Sequence, residues 1–297
     1  MTTNLSLKLI SLFLLENGRD TNLKMTEDKK KPKKLLEQKA AIHIGNTGTK
    51  LQDSFDVAIV IPTTIRPTLH RALNSIFKQD FTGRMQILIG IDKSKEDRTK
   101  LKRMFIGQPP NCISTILDLG YSTSVKHGGL RMARDGGSLR TVLSYLANSR
   151  YIAYLDDDNW WSENHISSLL KAIHGHDWAF SFRWFVDPQS NEPKCIDRWE
   201  STGINSGVFK KRFGGWVDPN CLLIDAVKCE RILRLWSIPL KGDRKGMSAD
   251  RNVFAALKEF FKPASTSLAT CYYVINPDDG MHLKRLEWIK KDLNAKM

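Results

Sequence analysis

The sequence predicts an α/β fold with a mostly parallel sheet flanked by helices, on three observations. Apolar runs of strand length alternate with segments of helical periodicity between Phe55 and Val186. The runs are continuously apolar, the pattern of strands buried on both faces. Acidic residues, Asp92 and Asp156, stand where two of these runs end. Sheets of this class bind ligands at the carboxyl ends of their strands.

Taken in order, Asp56–Pro62 (DVAIVIP) reads as the first buried strand. Pro67 then stands where a helix begins, and Leu69, Leu73, Ile76 and Phe77 recur at helical spacing. Met85–Asp92 (MQILIGID) and Cys112–Leu119 read as the next strands, with a charged helix between them. Glycines and basic residues fill Lys126–Gly137, and a helix covers Ser138–Ala147. Tyr151–Leu155 (YIAYL) is a further apolar strand and runs directly into Asp156-Asp157-Asp158. A helix over Ser162–His174 and a strand over Trp178–Val186 follow. Residues 187–280 look less regular, and Met281–Met297 reads as an amphipathic helix that packs on the core or rests on a membrane surface.

Composition narrows the class. The chain has 297 residues, 41% hydrophobic, with 8 Trp and 13 Phe, enough for a globular core. Its five cysteines are widely spaced with no C-x-x-C pair, against a disulfide framework or zinc site and in favour of a reducing, cytoplasmic compartment. No stretch is long and apolar enough to span a bilayer, and no small-residue cleavage site follows Leu5–Leu15. The net charge is +14, and Lys29–Lys34 is a like-charge run, so residues 1–54 read as a basic tail, flexible or partly helical. This excess favours an anionic partner: nucleotide phosphates, nucleic acid or a peripheral membrane contact.

The three aspartates carry the sharpest chemical signal. Carboxylates crowded at the end of a buried strand repel one another and call for a cation. Hard ions such as Mn2+ or Mg2+ take oxygen ligands, often shared with substrate phosphates. Such an ion would neutralise a diphosphate leaving group. A helix cap explains one aspartate and leaves two over.

The ordered motifs IVIPTTIRP, IGID, HGGLRMARDGG and YIAYLDDDNWW resemble the family 2 glycosyltransferases of GT-A fold, over about Phe55–Val186 and more weakly to His282. The resemblance implies a Rossmann-like nucleotide-sugar-binding half at 55–186, an acceptor-binding half with a C-terminal helix at 187–297, a divalent metal and an inverting mechanism. It implies that Pro62, Thr63 and Thr64 line the nucleotide pocket, and that Arg66 lies near the donor phosphates or base. Asp92 would accept from the uracil imide, Gly129 would let backbone approach the donor, and Arg134 would face its phosphate or sugar. Asp135 departs from the family's usual Asn. Asp156 matches the ribose- or metal-touching residue, Asp157 sits toward the sugar, and Asp158 matches the metal ligand. His282 is a further candidate ligand of the metal.

Inversion requires a base for the acceptor hydroxyl. The family's Glu-Asp pair matches Ala249-Asp250 here, which leaves Asp250 as the candidate; its rival role is a helix cap. Trp160, Trp161, Trp216 and Asp218 fall on the acceptor side, and Gly203–Asn220 reads as a glycine-containing loop able to close over donor. The expected function is transfer of a hexose or N-acetylhexosamine from a UDP-sugar to a hydroxyl of a glycan, lipid-linked or small-molecule acceptor. Two alternatives compete. A nucleotidyltransferase would place glycines after the first strand, and PTTIRPT has none. A basic nucleic-acid-binding protein would account for the charge and leave the aspartates unexplained.

Overall fold

A computed structural model describes residues 41–45, 51–93, 98–134 and 136–295. All of them belong to one compact unit, Lys39–Met297. The run Lys29–Lys34, the segment Leu5–Leu15 and Asp135 lie outside the described residues.

The first half is built as the apolar runs require. The strands are β1 (Ala41–Ile44), β2 (Phe55–Thr63), β3 (Met85–Ile91), β4 (Cys112–Asp118) and β5 (Ser149–Tyr154). Helix α1 (Leu69–Phe77) follows β2, α2 (Arg98–Arg103) follows β3, and α3 (Gly137–Leu146) precedes β5. β4, β3, β2 and β5 are parallel neighbours, in that order. Every residue of β3 is buried, as is every residue of β2 except Asp56, because helices cover both faces. Leu69, Ala72, Leu73 and Ile76 are the buried stripe of α1.

The second half continues the same sheet. Its elements are β6 (Trp160–Trp161), α4 (His165–Ala172), β7 (Trp178–Val186), β8 (Pro193–Ile196) and the β9 (Gly203–Ile204) and β10 (Gly215–Trp216) hairpin around α5 (Lys210–Phe213). Then come β11 (Leu222–Asp225), α6 (Glu230–Leu233), α7 (Ala249–Phe260), β12 (Pro263–Val274) and α8 (His282–Asn294). The full order is β1-β4-β3-β2-β5-β11-β7-β12-β6, with β8 on β7. β11 runs antiparallel between β5 and β7, and β12 pairs with β7 in parallel.

Three features depart from the sequence reading. Ala41–Ile44, inside the segment read as tail, is an antiparallel edge strand on β4. β11 and β12 bring residues from the less regular stretch into the central sheet. Gly203–Asn220 is a folded hairpin and turn whose last six residues, 215–220, are all buried. No helix among the described residues is long and apolar enough to cross a membrane. All five cysteines are free thiols and buried.

Candidate active site

The carboxyl ends of β2, β3 and β5, the start of α3, the turn after β10 and the start of α7 enclose one cavity of about 710 Å³. The topology sets this up: parallel strands all end on the same side, and the loops leaving them converge there. Gly136 makes one of these approaches possible. Its φ is +76°, and a Cβ there would lie 2.3 Å from Cβ of Pro62. The first turn of α3 therefore comes against the end of β2, with its N–H groups beside the cavity.

β5 delivers the acidic cluster, and each carboxylate has its own set of partners. The Asp156 N–H donates to Oδ1 of Asn220 at 2.6 Å, and Asn220 Nδ2 donates back to Oδ2 of Asp156 at 2.9 Å. The Asp156 Oδ1 accepts from the Arg140 guanidinium of α3. Asp157 is fully buried and accepts from Thr63 Oγ1 at 2.5 Å and from Arg66. Arg66 also donates to Oδ2 of Asp158 at 2.9 Å. The three negative charges thus meet two guanidiniums and two neutral donors, which is how such crowding is tolerated. Asp158 is left the most exposed of the three, at 35%. Burial, reinforced by the neighbouring Asp156 charge and opposed by Arg66, pushes its pKa up to about 6.

That distribution bears on a divalent ion. Among the described residues no group of three His, Cys, Asp or Glu is placed to hold one. A magnesium or manganese ion shared with substrate phosphates needs only one or two carboxylates. Asp158 fits that requirement, since one of its oxygens accepts from Arg66 and the other accepts from no other residue. Asp156 has both oxygens engaged by Arg140 and Asn220. His282 opens α8, its Nδ1 is buried without a partner, and it is not part of the cavity wall. Of the three residues the sequence suggested, Asp158 is the one whose carboxylate keeps an oxygen open to an ion in this geometry.

Pro62, Thr63, Thr64, Arg66, Asp92 and Arg134 all line the cavity. Asp92 is buried at the end of β3, its N–H tied to Thr63 O at 2.7 Å, and His127 Nε2 stands 3.8 Å from its carboxylate. The Arg134 Nε is buried and has no hydrogen-bond partner among the described residues, so its guanidinium has donor capacity left for a ligand. Gly129 does not reach the cavity. A Cβ there would sit 2.1 Å from the Thr123 carbonyl carbon, so the glycine serves the close passage of two backbone segments.

Asp250, Trp216 and Asp218 line the same cavity. Asp250 is the second residue of α7, and the cap position belongs to Ser248. Its side chain is 21% exposed, and its buried Oδ1 has no hydrogen-bond partner. Burial pushes its pKa up to about 6, with Arg251 opposing. Trp216 keeps a buried, unpartnered indole N–H. Trp160 and Trp161 turn away from the cavity. Trp161 is buried against His165, and Trp160 is stacked between Tyr272 and Arg71.

Three contributors escape sequence reading. Arg140 lies inside an ordinary-looking amphipathic helix. Asn220 joins Asp156 to Asp218, whose Oδ1 accepts from Nδ2 at 2.6 Å. Arg183 in β7 is fully buried and holds Asp218 from below, with Asp197 and Glu200 each at 2.8 Å. The signal for Asn220 was its place in Asp218-Pro219-Asn220, a capped turn in which Asp218 accepts the Asn220 N–H at 2.8 Å. Replacing Asn220 by Ala should lower stability by about 2 kcal/mol, because buried groups on Asp156 and Asp218 lose their donors and acceptor. Urea unfolding checks this, and an unchanged midpoint would show that water replaces the amide.

Comparison with known proteins agrees with this geometry. The pattern of one family, described as Glycosyl transferase family 2, matches residues 58–220. No curated protein matches the sequence. Among solved structures, S. aureus TarS 1-349 matches with TM-score 0.52 at 15% identity over 74% of this chain and 60% of that one. The same protein in complex with UDP-GlcNAc gives 0.50 and 15% over 77% and 60%. The mannosyltransferase PcManGT from Pyrobaculum calidifontis, in complex with GDP-Man and Mn2+, gives 0.50 and 13% over 80% and 61%. At such identities the likeness is one of fold, the GT-A fold. The chain spans about three fifths of the length of these neighbours.

Proposed function

The chain belongs to glycosyl transferase family 2, and from that premise we propose that it is an inverting transferase acting on a nucleotide-diphosphate sugar, with Asp250 as base. The observation that carries this reading is a single cavity lined both by a cation-compensated acidic cluster and by Asp250, a half-buried carboxylate whose Oδ1 makes no hydrogen bond among the described residues. Solved proteins of the same fold hold UDP-GlcNAc or GDP-Man.

Each group has its task. Asp92 takes the base; the uracil imide N–H and the guanine N1–H both donate to a carboxylate, and titration of UDP beside GDP separates the two. Thr63 and Thr64 flank it, and Asp156 faces the ribose. Arg66, Arg134 and the first turn of α3 surround the diphosphate. A divalent ion, carried on Asp158, would add Lewis-acid neutralisation of the departing diphosphate. Asp250 takes the proton of the acceptor hydroxyl as that oxygen bonds to the anomeric carbon. The bond from the anomeric carbon to the diphosphate oxygen breaks, and its electron pair leaves with the nucleoside diphosphate. Attack from the face opposite the leaving group inverts the anomeric centre. Trp216 offers an indole face and an N–H to the acceptor.

Calorimetric titration of UDP, with GDP beside it, tests the donor half. UDP should bind in Mn2+ and at least ten-fold more weakly in EDTA, and Asp158→Ala should abolish that difference. Failure of the folded protein to bind either nucleotide would remove the proposal.

A further inference from the structure

We propose that the rim of this cavity is a docking surface for an anionic lipid bilayer. Two loops form it, residues 121–134 and residues 238–248. They are joined at the backbone, since the Arg134 N–H donates to Gly246 O at 2.8 Å. A Cβ on Gly246 would lie 1.8 Å from the Met132 carbonyl, so the loops run in direct contact. Lys126, His127 and Arg134 of the first loop and Gly246 and Met247 of the second line the cavity, which puts both at its mouth.

Their side chains are unusual for a solvated loop. Leu130 is 93% exposed, Met132 46% and Met247 53%. Leu130 and Met132 lie two residues apart, beside the bridge between Ser124 and Arg131, and Met132 abuts the residue preceding Met247. Unbranched or γ-branched apolar tips of this kind enter the headgroup region of a bilayer readily. Exposed cations accompany them: Arg131 in the first loop, and Lys241, Arg244 and Lys245 in the second. None of residues 121–134 is acidic, and Asp135 follows them directly. The one acidic residue of the second, Asp243, is tied into its own loop. It accepts from the N–H groups of Lys245, Gly246 and Met247 and from Ser248 Oγ, at 2.7–3.1 Å. The two loops therefore join exposed apolar tips to an excess of exposed cations.

That combination selects the partner. A nucleic acid would use the cations and leave Leu130 and Met132 in water. A protein groove would be expected to want fewer exposed cations. An anionic bilayer uses both, each cation near its surface raising affinity about five-fold. With the mouth of the cavity against the bilayer, an acceptor anchored in the lipid reaches Asp250 without leaving the membrane. This last consequence rests on the transferase reading; the docking does not.

Sedimentation of the full chain with vesicles tests it. Phosphatidylcholine vesicles containing phosphatidylglycerol should capture the protein, and pure phosphatidylcholine vesicles should capture at least ten-fold less. Leu130→Ser/Met132→Ser should weaken capture by anionic vesicles at least five-fold, and Arg244→Glu/Lys245→Glu by more than ten-fold, each with an unchanged thermal midpoint. If the apolar variant binds vesicles as the parent does, the surface is elsewhere or purely electrostatic, and the proposal falls. If single-stranded nucleic acid binds more tightly than vesicles and only the charge variant loses it, the partner is nucleic acid and the proposal falls equally. UDP titration without vesicles remains the separate test of the transferase reading.

Discussion

Asp250→Asn should reduce turnover by two to four orders of magnitude while leaving UDP affinity within two-fold of the parent. The loss of a positioned general base has that size. The spared affinity follows from its assigned role, because Asp250 meets the acceptor hydroxyl and is given no contact with the nucleotide. A variant that keeps more than a tenth of the parent turnover would move the base to another residue, and Asp218, which lines the same cavity, would be tested next.

The same carboxylate sets a pH dependence and a stability signature. Its pKa is pushed up to about 6 by burial, with Arg251 opposing and Asp218 assisting. The base form is therefore lost as pH falls through about 6, and turnover should fall with it. For stability the sign is opposite to that of a paired carboxylate. A folded pKa above the unfolded value near 3.8 means that the stabilising contribution is complete below pH 3.8 and is lost as pH rises through 6. Above pH 6 the native protein carries an ionised buried group at a cost of about 2–3 kcal/mol. Asp250→Asn should thus be more stable than the parent at pH 8 and nearly equal to it at pH 4. Inactivity combined with added stability is what a functional carboxylate produces, and a purely structural one would do the reverse.

How far sequence could lead depends on which physical signal each element leaves. β2, β3, β4, β5 and β7 are continuous apolar runs, and their boundaries match the sequence reading to within one or two residues. β11 has only four residues, too few for a period. β12 is long, but its exposed residues and two register shifts break the pattern that marks a strand. Much the same division holds at the site. Asp92, Asp156 and Asp158 are legible because charge at the end of an apolar strand is anomalous. Asp250 was a candidate through its match to the family, and only the structure separates it from the cap position held by Ser248. Trp160 and Trp161 follow the acidic cluster in sequence, yet the chain turns there into β6 and pairs with β12, which carries both indoles away from the cavity. Adjacency in sequence said nothing about that turn. Arg140, Asn220 and Arg183 act through residues 16, 64 and 35 positions away, and no local period records such pairings.

Arg183→Met should be the most destabilising single change in the second half of the chain. The guanidinium is fully buried and serves Asp197, Glu200 and Asp218 at once, with its plane 3.9 Å from the Tyr273 ring. Arg285 of α8 adds a second cation, donating to Glu200 at 2.7 Å and to Asp279 at 2.8 Å. Removing Arg183 leaves three buried carboxylates short of their main counter-charge, an uncompensated state that costs about 3–5 kcal/mol. For a chain of this size the melting midpoint should fall by about 10 °C. Lysine would restore one charge and one direction of bonding where three are needed, so Arg183→Lys should recover less than half of the loss. The effect should also reach the active site. Asp218 fixes Asn220, and Asn220 holds Asp156 by both its backbone N–H and its carboxylate. Freed from Arg183, that chain of bonds slackens toward the acidic cluster. Arg183→Met, assayed well below its own midpoint, should therefore also bind UDP more weakly. Parent-like UDP affinity in a destabilised Arg183→Met would confine the buried network to stability and detach it from the donor site.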